Sequence, residues 1–306
     1  MSISKLIFPK SSQRNTPYLN LPSSKGLKFA TSVVFNNSLY VIGGLTTPNP
    51  QVQNSGISKK VFSSPDGMNW QEVGTDALSS IFPNTSDGLY NVPSTVFNNK
   101  IWVLNYDGRL FNSQDGITWN IAQTGLGYNH RSLEVFNNKL WIDGIKYSTD
   151  GINFQTGTTP PCIGQEISFN NWFLRIGGQE PTSQQPYSCY TTDGVTWMLL
   201  GPTNIAPIMS SILSYSYSDR AVVFNNKMWI LTPFSYEDSY DNTLPIFSSD
   251  NGSHLNSYPE QSPASGVSFV VFNNKLLIIG GQTPCLNPTG CPLGAPISNY
   301  IYSFGN

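Results

Sequence analysis

The chain has 306 residues, a formal net charge of −2 and 11% charged residues, against 39% hydrophobic and 13% aromatic. Its five arginines are scattered and form no basic stripe, which excludes the electrostatic footprint of a nucleic-acid protein. Plentiful aromatics at low net charge exclude disorder, and no apolar run reaches about 18 residues, so no membrane-spanning helix is expected.

The chain opens on a strand-like stretch, residues 3–8 (ISKLIF), whose apolar part is too short for a secretory leader. From there it repeats itself. Phe-Asn-Asn begins at Phe35, Phe97, Phe136, Phe169, Phe224 and Phe272. A β-branched or aromatic stretch precedes each copy and an apolar run follows it (SLYVIGG, KIWVLNY, KLWIDGI, WFLRIGG, KMWILTP, KLLIIGG). A second phrase alternates with the first: SPDGMNW at 64–70, SQDGITW at 113–119, STDGINF at 148–154, TTDGVTW at 191–197 and the altered SSDNGSHL at 248–255. Asn-Asn and Asp-Gly both suit the positive φ of two-residue hairpin turns, so each phrase is expected to reverse a strand. Each repeat then holds four short antiparallel strands. The aromatic after the second turn (Trp70, Trp119, Phe154, Trp197) falls on the fourth strand and is expected to pack between neighbouring units.

Six such units predict an all-β fold, a six-bladed β-propeller spanning 1–306 as one domain. The sixth repeat stops after a third strand at 299–304. The strand at 3–8 is expected to complete it, closing the ring and leaving no free edge.

This pattern resembles the kelch repeat, as in kelch-type propellers and the central domain of galactose oxidase. The likeness rests on the strand ending in a double glycine (Gly43-Gly44, Gly177-Gly178, Gly280-Gly281), the aromatic before the Asp-Gly turn (Phe62, Phe111, Tyr147, Tyr190) and the tryptophan after it. Three repeats place Asn105-Tyr106, Asp143-Gly144 and Thr232-Pro233 where the double glycine would stand. The second phrase also looks like a shortened Asp-box, the turn of sialidase-like propellers, with Ser248 to Leu255 showing its fuller S-x-D-x-G spacing. Both resemblances imply fold, not activity.

Strand alternation puts both kinds of short turn on one face and the long connections (45–59, 74–92, 179–187, 201–218, 232–244 and 282–298) on the other. The long connections carry Tyr90, Tyr187, Tyr215, Tyr217, Phe234, Tyr236 and Tyr240, rings that suit sugar or protein surfaces. Asn91, His130, Arg131, Gln165, Glu166, Asp219 and Arg220 enter the inner strands from that face, either as a plug holding blades together or as a polar pocket. The ligand-binding candidates are therefore Tyr90, His130, Arg131, Glu166, Tyr187, Asp219, Arg220, Tyr236 and Tyr240. Catalytic arrangements are poorly served. A galactose-oxidase copper site needs two converging histidines, and only His130 and His254 exist, on opposite faces. A sialidase triad would need Arg131, Arg175 and Arg220. A glycosidase pair from Glu166 and Asp219 stays open. No cofactor or metal is expected.

The four cysteines show no metal-ligand spacing. Cys285 and Cys291 bracket a Pro-Gly loop, Cys162 and Cys189 share one repeat, and two disulfides are expected. With the low charge they favour an extracellular or virion-surface protein that binds a glycan or another protein. The alternatives are an intracellular kelch-type scaffold and a glycan-processing enzyme.

Overall fold

In a computed structural model of the chain, the described residues are 19–20, 26–46, 56–84, 87–128, 130, 132–179, 186–202, 221–231, 244–262, 266–282 and 300–304. The fold is an all-β propeller of four-stranded antiparallel blades. Five blades each come from one stretch of chain. The first is β2 (Thr31–Phe35), β3 (Ser38–Ile42), β4 (Val61–Ser64) and β5 (Gln71–Glu72). The second is β6 (Ser94–Phe97), β7 (Lys100–Leu104), β8 (Leu110–Ser113) and β9 (Trp119–Gln123). The third is β10 (Leu133–Phe136), β11 (Lys139–Ile142), β12 (Lys146–Ser148) and β13 (Gln155–Thr156). The fourth is β14 (Gln165–Phe169), β15 (Trp172–Gln179), β16 (Pro186–Thr191) and β17 (Trp197–Pro202). The fifth is β18 (Ala221–Phe224), β19 (Lys227–Leu231), β20 (Leu244–Ser249) and β21 (Asn256–Ser262). A further four-stranded sheet is composite. It holds β22 (Ser268–Phe272), β23 (Lys275–Ile279), β24 (Tyr300–Phe304) and, on its outer side, β1 (Leu19–Asn20), paired as Leu19 with Ile301 and Asn20 with Tyr300. The predicted closing strand at 3–8 lies outside the described residues.

The Asn-Asn turns form as their chemistry requires. Both residues of all six pairs have positive φ, from 46° to 63°. The Asp-Gly turns correct the sequence reading: they are not two-residue hairpins. Strands β4 and β5 are separated by residues 65–70, and in this phrase only Gly67 has positive φ. The loop is closed by side chains. Ser64 Oγ accepts from Gly67 N at 2.8 Å, and Asp66 Oδ1 accepts from Met68 N and Asn69 N at 2.7 and 2.6 Å. The same bonds recur at Ser113/Asp115, Ser148/Asp150 and Thr191/Asp193. In the fifth blade Ser249 and Asn251 take these places, with Asn251 Oδ1 accepting from Ser253 N and His254 N at 3.0 and 3.1 Å. Asn251 thus does the work of the aspartate, and Asp250, which the sequence spacing pointed to, faces Lys227 at 3.2 Å instead.

The core lies between sheets. One apolar cluster joins Val33, Phe35 and Ile42 of the first blade to Ile101, Phe111 and Trp119 of the second. Comparable clusters join each later pair, and the last joins Val270, Phe272 and Leu277 to Leu39, Val41 and Phe62. The aromatics after the second turn pack as expected: Trp119 is buried, and Trp70, Phe154 and Trp197 pack partly buried against inter-sheet clusters. Only Trp119 and Trp197 stand on the fourth strand; Trp70 and Phe154 come one residue before β5 and β13. Hydroxyl pairs add polar links between inner strands, Thr31 to Ser94 at 2.7 Å and Ser32 to Ser268 at 2.5 Å.

Candidate functional site

Both families of short turn share one face, because they touch each other. Asn98 Nδ2 donates to Thr149 O, and Asn137 Nδ2 to Thr192 O, each at 3.1 Å and each from one blade to the next. The long connections leave from the opposite face, and two sectors of it are described.

The first sector lies between the third and fourth blades. Glu166 on β14 is the register partner of Arg175 on β15, and both are buried. Arg175 Nε lies 2.8 Å from Glu166 Oε1, an ion-pair contact whose geometry is not that of an aligned hydrogen bond. The guanidinium also donates to Cys162 O at 3.0 Å and to Asp143 O, and it lies over the Trp197 ring. Asp143 in turn holds His130 Nδ1 at 2.6 Å and accepts from Ser132 N at 3.2 Å. Burial pushes the Glu166 carboxyl above its ordinary range; Arg175 opposes this and Asp143 adds to it. Cys162 and Cys189 form a disulfide that anchors the strand segment beside Arg175. His130 and Glu166, both expected at a site, are thus brought together through Asp143 and Arg175. Both terminal nitrogens of Arg175 donate to backbone carbonyls, and Nε faces Glu166. Tyr187, half-buried on β16, lies two residues from Cys189.

The second sector lies over the first and second blades. Part of the connection 74–92 folds inward, with a 3₁₀ turn at Ala77–Ser80 and Leu78, Phe82, Leu89 and Val92 buried. Its end presents Tyr90, whose ring meets Tyr106 at 6.5 Å between centroids. Tyr106 is 45% exposed and Tyr128 78% exposed. Arg109 Nη2 pairs with Asp107 at 2.6 Å and Asp87 at 2.9 Å. Burial raises the Tyr106 phenol, and Asp87 and Asp107 raise it further. Leu126 N donates to Gly108 O at 3.3 Å, joining the loop of Tyr106 to the loop of Tyr128.

Sequence reasoning named Tyr90 but missed Tyr106, Tyr128 and Asp143, and set Arg175 aside. A signal was present: Asp143 and Tyr106 both stand where two repeats depart from the double glycine. Asp143 adopts φ 50°, close to the 66° of Gly43, so the backbone is kept while a carboxylate is added. Of the other candidates, Arg131, Asp219, Arg220, Tyr236 and Tyr240 lie outside the described residues, as do Cys285 and Cys291. Among the described residues no cluster of His, Cys, Asp and Glu could hold a metal ion, and no helix is long and apolar enough to cross a membrane.

The fold and these sectors define the class: a β-propeller. No family model matches the chain, and no curated protein matches it. A solved structure described as "Structure of YjhT" is similar over 93% of this chain and 99% of its own, with a TM-score of 0.53 at 14% identity. That likeness is one of fold.

Proposed function

We propose that the protein is a non-catalytic binding propeller, acting outside the cell or on a virion surface, that recognises a glycan or another protein through its long-connection face. The observation that carries this reading is the division of labour between the faces. On the short-turn face, serine and aspartate side chains close the loops, and Asn98 and Asn137 bond to neighbouring turns. The other face carries Tyr106, 45% exposed, and Tyr128, 78% exposed, on the connections that follow β7 and β9, with Tyr106 meeting Tyr90 of the longer connection 74–92. Tyr90, His130, Arg131, Glu166, Tyr187, Asp219, Arg220, Tyr236 and Tyr240 are assigned to it, with Glu166 supporting its floor through Arg175. The Cys162–Cys189 disulfide supports an oxidising location.

The composite sheet is read as a sixth kelch-type blade closed by the N-terminal segment. Pairing of β1 with β24 supports this, and removal of residues 1–20 is expected to lower the melting temperature. The functional reading is tested on a glycan array with the intact protein, with Tyr236→Ala/Tyr240→Ala, and with Asn98→Ala on the short-turn face. The tyrosine variant should lose binding without loss of stability, and the Asn98 variant should keep it. The reverse pattern would overturn the assignment.

A further inference from the structure

Resting on the long-connection reading, we infer that the Tyr90–Tyr106–Tyr128 sector is a subsite for a neutral oligosaccharide, one without carboxylate, sulfate or phosphate groups. The aromatic half of the argument is exposure. Tyr106 and Tyr128 present large ring areas to solvent on two loops tied together at Gly108 and Leu126, and Tyr90 leans on Tyr106. A pyranose offers a face of C–H groups that stacks on such rings, with hydroxyls left to hydrogen-bond around them.

Unpaired polar side chains flank two of the rings in the chain. Asn105, adjacent to Tyr106 in the chain, is fully buried, and neither its amide nitrogen nor its oxygen has a hydrogen-bond partner. Asn91, adjacent to Tyr90, has an Oδ1 in the same condition. Buried polar atoms left unpaired cost free energy, so these two side chains, each next in the chain to a ring of the sector, favour a ligand that supplies both donors and acceptors.

Charge decides the class of sugar. The described lysines and arginines around the sector are already engaged. Arg109 is held by Asp87 and Asp107, Lys59 donates to Asn84 O at 3.0 Å, and Lys146 donates to Leu126 O. Asp87 and Asp107 would face an incoming anion. Among the described lysines and arginines a carboxylated or sulfated sugar would find no uncommitted partner to replace its hydration, whereas a neutral sugar has hydroxyls to offer to carboxylate oxygens.

The test is an array of neutral hexose and N-acetylhexosamine oligosaccharides beside their sialylated and sulfated counterparts, probed with the intact protein, Tyr106→Ala and Tyr128→Ala. We expect a neutral probe to bind, affinity to change little with added salt, and each substitution to weaken it about tenfold with melting unchanged. Binding of anionic probes alone, or affinity that collapses with salt, overturns the inference. So does an array on which no neutral probe binds. Neutral binding that survives both substitutions but fails in Tyr236→Ala/Tyr240→Ala overturns this sector and leaves the long-connection reading standing. Binding lost only in Asn98→Ala overturns both.

Discussion

Trp102 in the second blade rests against Gly151 in the Asp-Gly turn of the third, so closely that a Cβ on Gly151 would lie 2.2 Å from the ring atom Cη2. The same relation joins Gly194 to Trp141 and Gly116 to Tyr40. The Trp102 indole is fixed at its other end by donating from Nε1 to Phe97 O at 2.8 Å. One repeated phrase therefore locks onto the other across these three blade boundaries. Gly151→Ala should destabilise by about 3 kcal/mol, summing a steric clash and strain at φ 79°. Gly125→Ala is the control: its φ is 71° but nothing stands within 4 Å, so strain alone should cost about 1 kcal/mol. Equal losses in chemical denaturation would contradict the locking role.

Asn251→Asp should stabilise the protein at neutral pH. Its Oδ1 already accepts the two backbone N–H groups that an aspartate accepts in four other blades, and a charged acceptor strengthens such bonds. Asp250 next to it opposes the gain and Lys227 offsets part of that opposition. A rise of about 1–2 °C in melting temperature is expected. A fall would mean that the turn selects the amide.

Acid should loosen these turns. Backbone N–H bonds, with Asn69, Asn153 and Thr196 as the main donors, hold Asp66, Asp150 and Asp193 well below their ordinary value of 3.8. The unfolded chain therefore takes up these protons first. The stabilisation is complete above the ordinary value and is lost as pH falls from 3.8 through the depressed folded value. Melting temperature against pH should drop through that window. A triple Asp→Asn variant at these positions should melt lower at neutral pH and show a flatter acid limb; parallel curves would contradict the assignment.

Much of this was legible from periodicity. Asn36-Asn37 and its five counterparts announce hairpins because few residues but Asn and Gly tolerate consecutive positive φ. The Asp-Gly phrase was read too simply, because the bonds from Ser64 and Asp66 that close a longer loop have no signature in turn propensity. Tyr90, His130 and Glu166 were legible from their place on the connections, and Asp143 only as an exception to the repeat: it leaves the double-glycine pattern while keeping its backbone, and its carboxylate holds His130. Tyr128 broke no pattern, and only its exposure reveals it.

The Glu166–Arg175 pair should behave as a buried unit. Arg175→Met leaves the carboxylate uncompensated and should cost roughly 3 kcal/mol. That cost should shrink as pH falls, because burial already raises the Glu166 pKa and protonation removes the stranded charge. Adding Glu166→Leu should recover part of the loss, and strict additivity in a double-mutant cycle would show that the two are not coupled.

The central claim is that ligand recognition belongs to the long-connection face, and hydrogen exchange of the intact protein with and without a bound oligosaccharide tests it most directly. The account predicts protection confined to the long-connection face, in peptides over 87–92, 105–109, 124–130 and 232–244, with the turns at Asn98-Asn99, Asn137-Asn138 and Asp150-Gly151 unchanged. Protection centred on those turns, with the long connections unaffected, would contradict it.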